Sequence, residues 1–275
     1  FADDIMLFAR GDYPSVATIY NKLRCFCGIL GLSISVGKSV FFSAEMDDQT
    51  LLDVQLLTGF ERGSFPIRYL GIPLMASRLN VCHYSPLLSK IGGLTQNWHG
   101  KTLSYAGRLE LIRAVIGGIV NFWMSMFPLP IVVTDRIDAF CRNFLWGKSE
   151  AGKKKPLVAW KLVCSLTKEG GLGLHCLKSW NLALLACSFW DISSNKESLW
   201  VRWLHHYYLR GCLVWSYSVA KSNSALVKRL MFIRDSILER EGNREMACLL
   251  LDSWLLPGRF DVSSAYNYFH LAKPK

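Results

Sequence analysis

Acidic side chains run short in the second half of this 275-residue sequence. Residues 151–275 hold 9 Asp+Glu against 18 Lys+Arg, whereas residues 1–150 are nearly balanced at 12 against 14. A basic half argues against cationic partners and points to a polyanion, nucleic acid before membrane. Paired cysteines are lacking too. The nine cysteines are odd in number and contain no Cys-x-x-Cys, which excludes a disulfide framework and a ribbon-type zinc site. Scattered among apolar neighbours, they read as small buried hydrophobes in a reducing compartment, nucleus or cytoplasm. No Gly-Lys-Ser/Thr follows the glycine-rich stretch Glu169–Gly173, so it is not a phosphate loop. Fixed-period repeats and low-complexity tracts are absent. The first residue is Phe, not Met, and no signal peptide opens the chain, so a processed chain or a piece of a longer one is expected. One long uncharged run exists, Ala114 to Val133, twenty residues. Gly117, Gly118, Asn121, Ser125, Pro128 and Pro130 interrupt it, and the spacing predicts a buried helix ending near Pro128 rather than a membrane span.

Half of the chain is apolar, enough for a sizeable core. Val16, Ile19, Tyr20, Leu23, Cys27 and Leu30 recur at helical spacing between Pro14 and Leu32, with Asp12 placed to cap and Gly31 to stop. Ser33–Ser35 and Ser39–Phe42 read as two short strands joined by a Gly37-Lys38 turn. Further helices are expected over Asp47–Leu57, Val81–Trp98, Ser104 to about Phe127, Asp135–Trp146, Leu177–Ile192, Ser198–Leu209 and Leu226–Glu241. Tyr69 to Ile72 reads as an edge strand or tight hairpin ended by Pro73. Gly147 to Pro156, carrying Lys153, Lys154 and Lys155, is the best linker candidate. Trp180, Trp190, Trp200 and Trp203 are expected in the core. His205-His206 has no partner at metal spacing and is expected at the surface.

Asp3 and Asp4 lie between Phe1 and the apolar run Ile5–Phe8, which suggests a turn leading into a buried strand. A strand that delivers carboxylates to its tip suits a Mg²⁺ site, although two acids at a turn are equally consistent with solvated side chains. Lys38, at the tip of the expected hairpin, suits a phosphate contact or proton donor. Lys101, Arg108 and Arg113 accompany helical faces and could track a phosphate backbone; as ordinary solvated residues they would look the same.

Taken in order, these landmarks resemble the C-terminal half of reverse transcriptases of non-LTR (LINE-type) retrotransposons, especially the plant type. Phe1-Ala2-Asp3-Asp4 resembles the catalytic tip, and Gly31 to Ser39 the following palm segment with its lysine. Tyr69-Leu70-Gly71-Ile72-Pro73-Leu74 resembles the strand pair that grips the primer, and Trp98 to Arg113 the opening of the thumb. Phe144-Leu145-Trp146-Gly147, Trp160 and Gly170-Gly171-Leu172-Gly173 resemble landmarks beyond it. Arg259 to Tyr266 looks like the opening of the zinc-binding domain that often closes such proteins. The resemblance covers almost the whole chain; six weak motifs in the right order are highly specific together.

The resemblance implies an α+β chain, mostly α: a partial palm of one helix plus short antiparallel hairpins, then a helical thumb and a helical C-terminal connector. Its boundaries would be 1–75 for the palm remnant, 76–150 for the thumb, 151–258 for the basic, Trp-rich connector and 259–275 for the start of the zinc-binding domain, truncated before its ligands. It implies RNA-directed DNA polymerase activity by two-metal nucleotidyl transfer in the intact protein, with an RNA template and a DNA primer as partners and no membrane. Asp3, Asp4 and Lys38 would be catalytic, and Asp3 and Asp4 would hold Mg²⁺ in an incomplete site. Tyr69, Leu70, Gly71, Lys101, Arg108, Lys153, Lys154 and Lys155 would contact primer and template. No zinc site is expected within the chain. The further carboxylate that Mg²⁺ requires would come from a strand preceding the tip, and Asp12, Asp47, Asp48 and Asp53 follow in the wrong elements. This polypeptide alone is therefore expected not to polymerise DNA. The alternative class is a nucleic-acid-binding or inert, repurposed remnant acting as an interaction protein.

Overall fold

A computed structural model describes residues 5–44, 46–75, 79–99, 102–147, 158–257 and 259–271. The described chain is mostly helical with a few two- and three-residue strands, an α+β chain in which α dominates. It divides into two units, Phe1–His83 and Tyr84–Lys275.

The first unit begins with α1, Tyr13–Leu30. Asp12 caps it, its carboxylate accepting the Ser15 N–H at 2.8 Å, and Pro14 occupies the first turn, where a missing N–H costs nothing. Gly31 ends it in the left-handed conformation at φ 65°. The apolar spacing places Val16, Ile19, Tyr20, Leu23 and Cys27 on its half-buried side. Leu30, expected with them, is 54% exposed, and no residue of α1 is fully buried. Helix α2, Asp48–Thr58, is capped by Asp47 and stopped by Gly59. It meets α1 through Tyr20, whose ring stands edge-on to Phe60 with centroids 5.8 Å apart.

Two expectations fail in this unit. Ile5–Phe8 is not a buried strand: among the described residues nothing pairs with it, and Ile5, Leu7 and Phe8 are exposed. An apolar run becomes a buried strand only where a neighbour supplies ladder and cover. The antiparallel hairpin over 33–42 is also absent. Val36–Lys38 forms a 3₁₀ turn, with the Lys38 and Ser39 N–H groups donating to the Ser35 and Val36 carbonyls. The Ser39 hydroxyl adds a bond to the Ser35 carbonyl at 2.8 Å. These serine-rich local bonds compete successfully with a strand ladder. β1, Val40–Phe41, instead runs parallel to β2, Glu61–Arg62. Gly63 follows directly beneath the Phe42 ring, where a side chain would collide. β3, Ile67–Tyr69, and β4, Ile72–Leu74, form the tight hairpin foreseen at Tyr69–Ile72.

The second unit opens with α3, Ser85–His99. A long helix follows from Tyr105 to Met126: α4, Tyr105–Leu111, a π-helical turn, Ile112–Ile116, and α5, Gly117–Met126. It is long and apolar enough to cross a membrane by length and composition. Ile112, Ile116, Val120, Trp123 and Met124 are nevertheless buried in the protein along one side of it. α6, Ile131–Leu145, starts four residues before the expected Asp135 because Pro130 serves as its N-cap, its carbonyl accepting from Val133 and Thr134.

After a short helix, α7, Trp160–Val163, comes α8, Leu177–Ser193. Asn181, Ala183, Leu185, Ala186, Phe189 and Ile192 bury several of its sides, as expected of a helix apolar all round. Packed about α8 and continuous with its core are α9, Leu199–Leu204, α10, Ala225–Glu241, α11, Arg244–Ser253, and α12, Val262–Leu271. α11 has no counterpart among the expected helices. Between α11 and α12, β5, Leu255–Leu256, pairs antiparallel with β6, Arg259–Phe260. Ala265, Tyr266 and Phe269 on α12 belong to this core. Trp180 and Trp190 are half-buried against it, but Trp200 is 37% and Trp203 51% exposed, contrary to the core placement expected for all four. His205 is half-buried, its Nε2 lying 3.0 Å from the Ile192 carbonyl, whereas His206 is exposed as expected.

The break between α5 and α6 shows how the pieces lock. In Pro128-Leu129-Pro130 only Leu129 has a backbone N–H, and Leu129 is fully buried. Asn181 reaches it from α8: its Oδ1 accepts the Leu129 N–H at 3.3 Å and its Nδ2 donates to the Leu129 carbonyl at 3.0 Å. Asn181→Ala leaves both backbone groups buried and unpaired, so its urea midpoint is expected to fall by the equivalent of about 2–4 kcal/mol. Asn181→Asp, which cannot donate to the carbonyl, is expected to be no better. A midpoint unchanged in both variants would refute the assignment.

Candidate nucleic-acid interface

Asp3 and Asp4, the expected catalytic and Mg²⁺-binding pair, lie outside the described residues, as do Lys101, Lys153, Lys154 and Lys155. Among the described residues, no group of three His, Cys, Asp or Glu side chains could hold a metal ion.

In the first unit Lys38 ends the 3₁₀ turn, exposed, rather than occupying a hairpin tip. Among the described residues no hydrogen bond or ion pair joins it to the β3–β4 hairpin. That hairpin carries Tyr69, Leu70 and Gly71 and turns on two residues at positive φ, Leu70 at 51° and Gly71 at 81°. Two left-handed central residues match the twist of the flanking strands, and Asn-Gly or Gly-Gly would adopt them without strain. Leucine pays roughly 1 kcal/mol for the left-handed conformation. Its side chain gains no burial in return: Leu70 is 45% exposed, while Ile72 and Pro73 just beyond are buried. The hairpin therefore presents a strained apolar tip to solvent, beside the half-buried Tyr69 and the exposed Arg68.

In the second unit the landmarks separated in sequence are neighbours in space. Trp98 packs on Phe144 with ring centroids 5.4 Å apart, and Tyr105 on Trp146 at 5.6 Å. Arg108 is half-buried, with its guanidinium over Gly147, where a Cβ would stand 2.5 Å from Nη1. A cation there faces the carbonyl end of α6, which its dipole favours. Arg108 thus has a structural task that its sequence position did not reveal. Arg113 pairs with Glu110 at 2.9 Å and donates through Nη2 to the Leu172 carbonyl, also at 2.9 Å. It thereby ties the long helix to the glycine-rich turn. Gly171 is required in that turn because any side chain would collide with the Ser165 carbonyl. Gly170 and Gly173 adopt positive φ. These glycines serve close backbone approach, not phosphate binding.

Two hydrogen bonds and a ring stack nearby were not legible in the sequence. The Trp180 indole donates to Asn121 at 2.9 Å, the Cys176 N–H to the Tyr266 hydroxyl at 3.1 Å, and His175 stacks on Trp180 at 4.0 Å. Asn121 read only as an interruption of an apolar run; a polar residue inside such a run was the available signal.

Beneath this network, burial pushes Asp138 up to about 6. The Trp160 indole N–H, buried without a well-formed hydrogen bond, opposes the shift only in part, and Asp135 adds to it. Burial, and then the Asp138 carboxylate, push the Cys141 and Cys164 thiols up, which keeps both neutral and poor as metal ligands. Because the folded state holds the Asp138 proton after the unfolded chain has released it, this group lowers stability as pH rises from about 3.8 to about 6. Asp138→Asn is expected to remove that decline and raise stability at neutral pH by roughly 1–3 kcal/mol. Urea midpoints across the pH range check this: a difference from the parent that does not grow through the window would refute it.

No family model matches the chain. A protein of Arabidopsis thaliana named as a ribonuclease H protein is 40% identical to it over 129 residues, 47% of this chain and 21% of that protein. The match spans about a fifth of that relative's length.

Proposed function

We propose that this chain is the C-terminal part of the polymerase module of a LINE-type reverse transcriptase, and that its described residues grip an RNA–DNA hybrid. The observation that carries the reading is the strained, exposed Leu70–Gly71 tip, within the very motif that resembles a primer grip. Strain without a packing return is what a ligand-contacting turn displays. The order of the other motifs supports it, as does the basic second half. The Arabidopsis relative supports the wider setting, since ribonuclease H activity acts on RNA within an RNA–DNA hybrid, the product of reverse transcription.

In this reading the palm remnant comprises α1 to β4 and the thumb comprises α3 to α6. Tyr69, Leu70 and Gly71 hold the primer end, with Lys38 near phosphate. Lys101 and Lys153 to Lys155 add phosphate contacts, while Arg108 chiefly braces α6 against α4. Magnesium, bound through Asp3 and Asp4, would neutralise the triphosphate. Among the described residues no group of three His, Cys, Asp or Glu side chains could hold a metal ion by itself, and this reading gives them the positioning of nucleic acid.

Fluorescence anisotropy with a labelled RNA–DNA hybrid tests the grip. Binding at low salt is expected, with log affinity falling by about 0.9 per phosphate contact per log unit of salt. Leu70→Asn keeps the left-handed turn and removes the apolar tip; it is expected to weaken hybrid binding several-fold without lowering the melting temperature. Absence of hybrid binding at low salt would overturn the proposal. In primer extension on an RNA template the purified chain is expected to be inactive. Magnesium-dependent synthesis abolished by Asp3→Ala would show instead that its own residues complete the site.

A further inference from the structure

Residues Leu199 to Arg210 present a surface that the polymerase reading does not use. α9 runs into a π-helical turn, His205–Leu209, in which the Arg210 N–H donates to the His205 carbonyl at 2.8 Å. Leu204 and Leu209 are buried by this element, and Trp203 and Tyr207 are left on its outer side. Their rings lie nearly parallel, 7° apart with centroids 5.4 Å apart, and they are 51% and 56% exposed. Tyr208 makes T-shaped contacts with both rings, its centroid 5.6 Å from that of Trp203 and 5.0 Å from that of Tyr207. Arg202, His206 and Arg210 flank the pair in sequence and are all exposed. Arg210 adopts the left-handed conformation at φ 47°, its guanidinium held by the Tyr207 carbonyl at 3.3 Å.

Charge distinguishes this surface from an ordinary apolar patch. From Ser198 to Arg234, 37 residues, the sequence has no Asp or Glu and six Lys or Arg. Asp235, which ends the stretch, is paired with Arg234 at 2.7 Å, and Glu197 precedes it. A stacked aromatic pair between cations, without a carboxylate in the segment, matches a ligand with flat faces on an anionic backbone. A protein partner would require no such exclusion of acid.

We propose that Trp203 and Tyr207 form a base-stacking platform for single-stranded nucleic acid, with Arg202 and Arg210 contacting its phosphates. The bases stack on the ring faces without sequence preference, and the cations track the backbone. The proposal rests on the reading of the chain as a nucleic-acid binder, but not on its polymerase identity. In a hybrid the bases are paired and stacked on one another, so the platform selects unpaired template or displaced strand.

The test measures anisotropy of a short labelled oligouridylate and of the RNA–DNA hybrid with the full chain. Trp203→Ala/Tyr207→Ala is expected to weaken oligouridylate binding by about tenfold or more and to leave hybrid binding unchanged. Trp203→Phe/Tyr207→Phe, which keeps flat faces, is expected to retain most of the affinity. Arg202→Gln/Arg210→Gln should lower the salt slope for the single strand by about 0.7 per lost contact. Circular dichroism checks the fold of each variant, and the phenylalanine and glutamine pairs carry the test if the alanine pair unfolds. Unchanged oligouridylate affinity in the alanine pair overturns the proposal, as does equal loss in the phenylalanine pair. So does a change confined to oligomeric state, which would mark a protein interface. A parent chain that binds oligouridylate but not hybrid sinks the grip proposed above and leaves this platform standing; the reverse result sinks only the platform.

Discussion

The Asn181 carboxamide holding the Leu129 backbone is the contact on which the second unit depends. Two prolines end α5 and begin α6, so the chain between them has lost the means to satisfy itself by helix bonds. A side chain must come from elsewhere to take up the buried Leu129 N–H and carbonyl. Asn181 does so from the first half of α8, with Ala183, Leu185 and Ala186 buried immediately beyond it. One polar residue thus fixes the register of the central helix against the α5–α6 corner. The aliphatic contacts of α8 with α10 and α12 could tolerate small shifts; a two-bond carboxamide cannot. Placement of Trp180 on Asn121, and of the Cys176 N–H on Tyr266, follows from that register.

The same constraint accounts for the landmarks that looked like a functional string in the sequence. Phe144, Trp146 and Gly147 close the end of α6 against Trp98, Tyr105 and Arg108. The 170–173 turn is held by Arg113 and by the close approach of Gly171 to Ser165. These residues hold helices together at defined distances. Their spacing is constrained because the corner tolerates few alternatives, so the motif identifies a scaffold.

What could be read from the sequence was local. The boundaries of α1 follow from Asp12, Pro14 and Gly31, and those of α2 from Asp47 and Gly59, because caps act within one turn. Of the edge strand or tight hairpin that Pro73 suggested at Tyr69–Ile72, the structure has the hairpin. What escaped was decided by partners far along the chain. Whether Ser33–Phe42 closes on itself or pairs with Glu61–Arg62 is a competition between a local 3₁₀ turn and a parallel ladder across twenty residues, which periodicity does not weigh. Trp203 escaped for another reason: aromatic residues usually pay for themselves by burial, and only the structure shows Leu204 and Leu209 taking the core positions. Lys38 was legible as an exposed turn residue, but the turn is a 3₁₀ turn and not a hairpin tip.

The two units are stabilised by different means, and this bears on function. The second buries continuous aliphatic and aromatic surface around α8, to which exterior residues such as Arg202 contribute little. The first is held largely by caps, by the Tyr20–Phe60 contact and by a few buried residues of α2 and β4. Phe26, Ile29 and Leu30 stay exposed on α1. Helical propensity and caps alone leave a helix of this length marginal, so anything that covers the open side of α1 also firms the unit that carries Lys38 and the Leu70 tip. A strained turn keeps its shape only when its surroundings over-determine it. The shape of the Leu70 turn is therefore coupled, through the stability of its own unit, to whatever surface α1 meets.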